Sequence, residues 1–422
     1  MNYHQDIDTH LGPYRILDLT EGGCMVGGRF LGDMGADIIK IEPPGGSISR
    51  IAPFYKDIPH PEKSLFWFAY NTNKRSITLD IGRLDGQEIF RRLAKTADAV
   101  IESYEPGFMK QLRLGYTDLC KIKPDIIVTS ITPFGQTGPK AHYKASDLTA
   151  WASGGYLSIC GDADRSPVWI GFPQASLHAG AEAAPGTLAA ISYRNMTGEG
   201  QHVDVSMQEC VIACDFQTPE LWDLNKVEIS RLSHYLQTNA GGVRQRQVWK
   251  CRDGCVVLIP TGSSEPFISA MKNLVQWMGE EGMAKDWLKE IDWAEGYDSS
   301  IISQDLVDKV EEAIGNFLLT RSKTELYEEG ALNRRILIAP IANTKDVCEN
   351  IQLYSRDFWM PVEHEELGDT LTYPGPPLKL CNSPISYRRR APRIGEHNSE
   401  VYLEELGFTT EDLMILKQAS II

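Results

Sequence analysis

Apolar residues along the first two hundred positions occur in short continuous runs, and stretches with helical spacing separate these runs. Several runs are rich in branched aliphatic residues, which is typical of strands that are buried on both faces of a parallel sheet. We therefore predict a doubly wound α/β arrangement for this part of the chain. The runs are Tyr14–Leu19, Asp37–Glu42, Arg75–Ile81, Ala99–Ser103, Asp125–Ile131 and Gly200–Ser206.

The pattern changes from about Asn225, where antiparallel and helical signals replace the alternation. Residues Val248–Pro260 predict a hairpin that turns at Asp253-Gly254 and sets Cys251 opposite Cys255. Amphipathic helical segments follow, so we predict a second, smaller α+β domain. Near the end of the chain, a Thr-x-x-Asp capping arrangement at residue 409 predicts the start of a last helix.

Composition narrows the classes of function. The chain has 422 residues and 42 basic against 57 acidic side chains, which gives a net charge of −15. An acidic surface repels a phosphate backbone, so nucleic acid is not an expected partner. We see no secretory signal and no membrane span, and expect a cytoplasmic protein. The nine cysteines contain no C-x-x-C pair and the histidines no H-E-x-x-H, so no metal is expected.

Glycines follow the first predicted strand at positions 22, 23, 27 and 28. This spacing does not match the G-x-G-x-x-G of dinucleotide-binding proteins, and packing of the following helix on the sheet alone explains the glycines, so the sequence favours packing over nucleotide-dependent redox chemistry. Basic residues lie near the ends of predicted strands, where ligands of parallel sheets bind. Together, Lys40, Lys74-Arg75, Lys140 and Lys144 would suit a ligand with several phosphates.

Many short stretches in order resemble the class III CoA-transferases, the CaiB/BaiF or formyl-CoA/carnitine type. They include LGDMGADIIKIEPPGG, NTNKRSITLDI, ADAVIESYEPG, TSITPFGQTGP, TGEGQHVDVSMQE, YPGPPLKL and RRRAPRIGEHNSEVYLEELGF. The resemblance implies a Rossmann-like large domain formed by both termini and a smaller central domain, in a dimer of interlocked rings. The corresponding ranges are 1–224 and 336–422 for the large domain and 225–335 for the small one.

The resemblance also implies a ligand, CoA or an acyl-CoA, which these enzymes use as a substrate and do not hold permanently. By position, the residues expected to line the CoA site are Lys40, Asn73, Lys74, Arg75, Ser103, Tyr104 and Lys144.

One functional residue of the family is missing from this sequence. The family's nucleophilic aspartate lies four residues before a glycine that corresponds to Gly180, and Ser176 occupies that position. The neighbours Ala175 and Leu177 are not acidic either. The glycine loop "GGCMVGG" also lacks the family's proline and is one residue shorter, and Gln111 replaces a common arginine.

We therefore expect a transferase subunit without its own nucleophile, paired with a homologous catalytic chain in a heterodimer or heterotetramer. Within the family, the chain is most similar to the aspartate-lacking chain of two-chain enzymes that move CoA from succinyl-CoA to benzylsuccinate in anaerobic toluene degradation. An active homodimer that uses another carboxylate is one alternative, and the candidates are Asp147, Asp162, Asp164 and Glu182. A Ser176–His178 hydrolase pair lacks the G-x-S-x-G elbow. The other alternative is an acyl-CoA-binding scaffold without catalysis.

Overall fold

The computed structural model describes residues 9–214, 217–229, 231–233, 235–237, 242–298, 301–383 and 385–422. These residues form two compact units. The larger falls within Met1–Leu157, Trp169–Phe216 and Gln352–Ile422, so it is built from both ends of the chain. The smaller falls within Ser158–Val168 and Gln217–Ile351. The boundaries that the sequence suggested, after residues 224 and 335, stay a prediction.

A six-stranded sheet, parallel throughout, forms the centre of the larger unit, in the order β3-β2-β1-β4-β5-β6. This confirms the predicted doubly wound arrangement. The strand order reverses between β1 and β4, and such a switch point opens the ligand crevice of these folds. The strands are β1 (Arg15–Leu19), β2 (Asp37–Glu42), β3 (Lys74–Thr78), β4 (Ala99–Glu102), β5 (Ile127–Thr132) and β6 (His202–Ser206).

Helices cover both faces of this sheet and build two apolar cores. The longest is α7, which carries the small-residue stretch noted in the sequence. The helices of this part of the chain are α1 (Met25–Asp33), α2 (Leu65–Tyr70), α3 (Leu84–Thr96), α4 (Phe108–Gln111), α5 (Tyr116–Leu119), α6 (Asp147–Ser153), α7 (Gln174–Thr197) and α8 (Met207–Ala213). Short 3₁₀ turns lie at Gly22–Cys24, Tyr55–Asp57, Pro61–Lys63 and Tyr156–Ile159.

The smaller unit packs amphipathic helices around an antiparallel sheet of order β11-β10-β9, which confirms the predicted α+β character. Its strands are β7 (Tyr235–Gln237), β8 (Arg244–Arg246), β9 (Val248–Cys251), β10 (Gly254–Leu258) and β11 (Ile338–Pro340). Its helices are α9 (Gln217–Asn225), α10 (Glu265–Glu280), α11 (Asp286–Lys289), α12 (Gln304–Leu318), α13 (Lys323–Glu325), α14 (Thr344–Cys348) and a π-helix at Leu326–Asn333, and α15 (Ile351–Ser355) lies at its boundary with the larger unit.

The predicted hairpin forms, but its turn is one residue earlier than expected. Gly254 pairs with Cys251, and Cys255 pairs with Lys250, so the two cysteines are not opposite each other as predicted. The reason is that Gly254 already belongs to β10, and the turn is made by Arg252 and Asp253.

The C-terminal part of the chain returns to the larger unit. It contains the antiparallel hairpin β12 (Trp359–His364) and β13 (Asp369–Pro374), a 3₁₀ turn at Glu365–Leu367, a π-helix at Glu400–Glu405 and α16 (Thr410–Gln418). The predicted capping box between Thr409 and Asp412 opens α16, which confirms the helix start.

Candidate functional site

The first turn of α7 is capped by a side chain from another helix. The residue before the helix, Pro173, makes no capping hydrogen bond. Instead, the carboxylate of Asp147, at the start of α6, accepts the amide of Gln174 at 3.0 Å and the amide of Ser176 at 2.8 Å. A carboxylate at this end of a helix also interacts favourably with the helix dipole.

Ser176 lies in this first turn with its side chain bound to the same carboxylate. Its Oγ donates to Asp147 Oδ1 at 2.8 Å, and the residue is 9% exposed. The ring of His178 stacks on Trp151 instead, with ring centroids 6.2 Å apart. The hydroxyl of Ser176 is therefore directed to an acceptor other than His178, contrary to a Ser–His nucleophile pair.

The four carboxylates considered as substitute nucleophiles lie in different places. Asp162 and Asp164 belong to the smaller unit, and Glu182 is exposed on α7. Among these described residues, Asp147 is the one that hydrogen-bonds to Ser176.

The glycine loop after β1 packs directly against α7. A Cβ atom at Gly23 would lie 2.5 Å from the Oγ of Ser176, and one at Gly27 would lie 2.6 Å from the carbonyl oxygen of Gly180. A Cβ at Gly180 would in turn lie 2.8 Å from the carbonyl oxygen of Cys24. These glycines allow close helix packing, which is the role that the sequence favoured over dinucleotide binding.

Lys40 and Lys74 come together, but under the loop and away from solvent. Both are fully buried, and both face Asp18 on β1, with Nζ–O distances of 3.7 Å and 2.7 Å respectively. Burial favours a raised pKa for Asp18, but the charges of Lys74 and Lys40 and hydrogen bonds outweigh it and lower this pKa to about 2. Burial lowers the pKa of Lys74 to about 8, although Asp18 favours its charged form.

Asn73 and Arg75 connect the sheet to the C-terminal part of the chain. Asn73 has a left-handed backbone with φ 61°, and its side-chain oxygen accepts the amide of Arg388 at 2.7 Å. Arg75 is 5% exposed and forms ion pairs with Asp37 at 2.6 Å, with Glu400 at 2.7 Å and with Glu405 at 2.5 Å. The polar groups of both residues are thus already engaged by the protein.

The other predicted ligand residues lie beyond the end of β4 and in the loop before α6. Ser103 Oγ accepts the amide of Glu21 at 2.9 Å, which joins the loops after β1 and β4 at the switch point. The Tyr104 ring lies 4.6 Å from that of Phe108, and burial raises the pKa of Tyr104. Lys144 has an 85% exposed side chain 3.4 Å from Glu105, so its charge is accessible to a ligand.

Two acidic residues at the switch point were not predicted as site residues from the sequence. The carboxylate of Glu21 accepts hydrogen bonds from the hydroxyls of Ser47 and Ser49. Glu102 is buried at the end of β4, and burial raises its pKa to about 7. The sequence could have indicated Glu21, because it is an acidic residue just after the first predicted strand and next to the glycines. Within the described residues, no group of three or more His, Cys, Asp or Glu side chains could hold a metal ion.

Among the described residues, no helix is both long enough and apolar enough to cross a membrane.

Comparison with known proteins identifies the family. Residues 11–398 match CoA-transferase family III. The chain is 33% identical over 399 residues to the succinyl-CoA:(R)-benzylsuccinate CoA-transferase subunit BbsE of Thauera aromatica, covering 93% of each chain. It is 31% identical to the formyl-CoA:oxalate CoA-transferase of Streptomyces coelicolor, covering 97% and 98%. A CaiB/BaiF family protein from Brucella suis shares the fold, with a TM-score of 0.80 at 24% identity over 94% and 99%. The chain therefore belongs to CoA-transferase family III, whose enzymes use CoA thioesters as substrates and hold no permanent cofactor.

Proposed function

We propose that this chain is the non-catalytic subunit of a two-chain CoA-transferase and works in the cytoplasm with a homologous chain that keeps the aspartate. The proposed reaction moves CoA from succinyl-CoA to benzylsuccinate. The observation that carries the proposal is the residue at the first turn of α7. The resemblance to the family implies a nucleophilic aspartate at this position, and this chain has the hydroxyl of Ser176 there, bound to Asp147.

Serine cannot replace the aspartate in this chemistry. In the family mechanism the carboxylate attacks the thioester carbonyl, forms a mixed anhydride and releases the CoA thiolate. The thiolate then attacks the aspartyl carbonyl, which forms an enzyme thioester and releases the first acid. A serine ester could form in the first step. Serine has no carbonyl of its own, so it cannot hold CoA in the second step.

The proposed substrates rest on the relative in Thauera aromatica, which is named for succinyl-CoA and (R)-benzylsuccinate and is itself described as a subunit. Aromatic side chains near α7 give little further support. Trp151 is 2% exposed and belongs to the core, whereas Trp169 is 38% exposed. The choice of aryl acid is therefore an extension from the relative.

The test is reconstitution with the sister chain. A native mass spectrum of the tagged chain, purified from its host, should contain a second chain of similar mass. In the reconstituted complex, Ser176→Ala should leave turnover of succinyl-CoA nearly unchanged, while an alanine at the sister chain's aspartate should abolish it. A homodimer with full activity would contradict the proposal.

A second candidate function is an active homodimer in which Asp147 acts as the nucleophile. The observation in its favour is the Asp147 carboxylate oxygen, which lies 2.8 Å from Ser176 Oγ and accepts its hydrogen bond. Two helix amides already hold this carboxylate, and such bonds stabilise the anion and weaken it as a nucleophile.

This second function predicts turnover by the purified chain alone. Hydroxylamine should then trap an acyl or CoA adduct on Asp147, and Asp147→Asn should lose turnover while Asp164→Asn keeps it. Equal activity in both variants, or no turnover by the chain alone, would exclude Asp147 as the nucleophile.

A further inference from the structure

Two buried lysines hold both ends of the loop between β1 and α1. Lys40 Nζ donates to the carbonyl oxygen of Thr20, where the loop begins. Lys74 Nζ donates to the carbonyl oxygen of Met25 at 2.8 Å, where α1 begins. Both carbonyl groups are thus directed into the protein, so the loop between them is held at its two ends.

A single carboxylate serves both lysines. Asp18 Oδ2 accepts from Lys74 at 2.7 Å, and Oδ1 lies 3.7 Å from Lys40 and also accepts the Thr20 amide at 2.8 Å. The absence of a side chain at Gly28 leaves room for this carboxylate, because a Cβ at Gly28 would lie 2.2 Å from Asp18 Oδ2. Two ammonium groups share one carboxylate, so the loop carbonyls supply part of the compensation that buried charges need.

The held loop lies against the residue that replaces the nucleophile. Between Thr20 and Met25, Gly23 packs so closely on α7 that a Cβ would contact Ser176 Oγ at 2.5 Å. A shift of the loop would therefore change the space around Ser176. Neither lysine has side-chain surface exposed to solvent, so neither can contact a ligand outside the protein without a rearrangement.

We propose that Lys40 and Lys74 are positioning residues that fix the loop over the first turn of α7, and that they affect CoA binding through this loop rather than by contact with phosphates. The part about CoA rests on the proposed function, and the part about the loop does not. In some proteins, buried charged and polar groups serve to specify a single conformation.

Cys24 reports directly on the loop. Its thiol is 1% exposed, and burial raises its pKa, so the native thiol should react slowly with an alkylating reagent. Cys210 on α8 is 9% exposed in the same unit and lies outside the loop, so it reports on general unfolding. Lys121, with a 72% exposed side chain, provides a control lysine.

The first experiment alkylates the full-length protein, in its complex if one forms, and quantifies each cysteine by peptide mass mapping. We expect Lys40→Met and Lys74→Met to speed labelling of Cys24 by about tenfold or more, because each loses a hydrogen bond to a charged donor. Cys210 should stay protected, and Lys121→Met should change neither rate. Lys74→Gln keeps a donor toward the loop and should label at an intermediate rate. Unchanged protection of Cys24, or equal acceleration at Cys210, would overturn the proposal.

The second experiment measures the affinity of the complex for CoA at several salt concentrations. A lysine that contacts phosphate contributes to the salt dependence, since salt screens exposed charges more strongly than buried ones. Lys40→Met and Lys74→Met should weaken binding with an unchanged salt slope, and Lys144→Met should flatten the slope. A flattened slope in the two buried variants would overturn the indirect role. If the wild-type complex does not bind CoA, the proposed function fails, and the labelling result still decides the role of the lysines in the loop.

Discussion

Asp147 offers the sharpest test of how the site is built, because its carboxylate stabilises a helix to which it does not belong. Asp147→Ala would remove the acceptor for the amides of Gln174 and Ser176 and for the Ser176 hydroxyl. Pro173 offers no replacement cap. The first turn of α7 should then open locally, while the rest of the helix stays packed on its small residues.

The expected free-energy cost of Asp147→Ala follows from the contacts that it removes. Loss of an N-cap costs ~0.5–2 kcal/mol, and removal of a negative charge from the helix N-terminus costs a further ~0.3–1 kcal/mol. Asp147 is half-buried, so water can replace part of the lost bonds, and we take about 2 kcal/mol as the local cost. This corresponds to an opening equilibrium about thirtyfold more favourable than in the wild type.

Hydrogen exchange measured by mass spectrometry would show this opening. Peptides that contain the amides of residues 174 and 176 should exchange about thirtyfold faster in Asp147→Ala than in the wild type. The exchange rate in Asp147→Asn should lie between those of the wild type and Asp147→Ala, because asparagine keeps one acceptor. Peptides from the C-terminal half of α7 and the exposed-site variant Asp164→Ala serve as controls. Unchanged exchange at the first turn in Asp147→Ala would refute the capping role.

Three further changes test the surroundings of the site. Ser176→Asp would set a second carboxylate beside Asp147, whose Oδ1 lies 2.8 Å from the Ser176 hydroxyl, and would raise the pKa of one of the two carboxyl groups. The resulting loss of stability should be absent below about pH 4 and complete above the raised pKa. Unfolding midpoints measured across this pH range would record it. Gly23→Ala would overpack the loop against Ser176 and should cost ~1–3 kcal/mol in chemical unfolding, with partial recovery when Ser176→Ala is added. Asp18→Asn would strip the counter-charge from two buried lysines and should cost ~3–5 kcal/mol in urea unfolding. In the wild type, the stability that Asp18 contributes is present above about pH 4 and should be lost as the pH falls through about 2.

Most of the sheet could be predicted from the sequence because β1 to β5 are buried on both faces, whereas His202 and Asp204 of β6 are exposed. Such strands appear as continuous apolar runs, and the six runs correspond to β1 through β6 with shifts of a few residues at their ends. The hairpin in the smaller unit was predicted as an element, but its register was off by one because a glycine was assigned to the turn. Local signals fix the existence of an element better than its exact pairing.

The contacts of the site could not be predicted in the same way. Lys74 is 56 residues from Asp18 in the sequence, and a lysine at the start of a strand looks the same in sequence whether it faces solvent or a buried carboxylate. Asp147 was considered as a nucleophile, but nothing in its neighbourhood indicated that it caps a helix 27 residues later. These features depend on the packing of distant segments, which periodicity does not encode.

The first turn of α7 shows how a serine at position 176 is compatible with an intact fold. A buried side chain at position 176 needs a hydrogen-bond partner if it is polar, and Asp147 supplies that partner while it also caps the helix. The serine therefore leaves no buried polar group without a partner in this turn. The glycine loop packs closely on it, because a Cβ at Gly23 would lie 2.5 Å from Ser176 Oγ. If the chain is the non-catalytic subunit proposed above, this packed arrangement serves a requirement other than its own chemistry. Assembly with the proposed sister chain would be such a requirement, since the self-complementary interface of a homodimer can be adapted to pair with a related chain. If the complex proves to be a heteromer, a Gly23→Ala variant that folds more weakly should also assemble more weakly, although it removes no catalytic group.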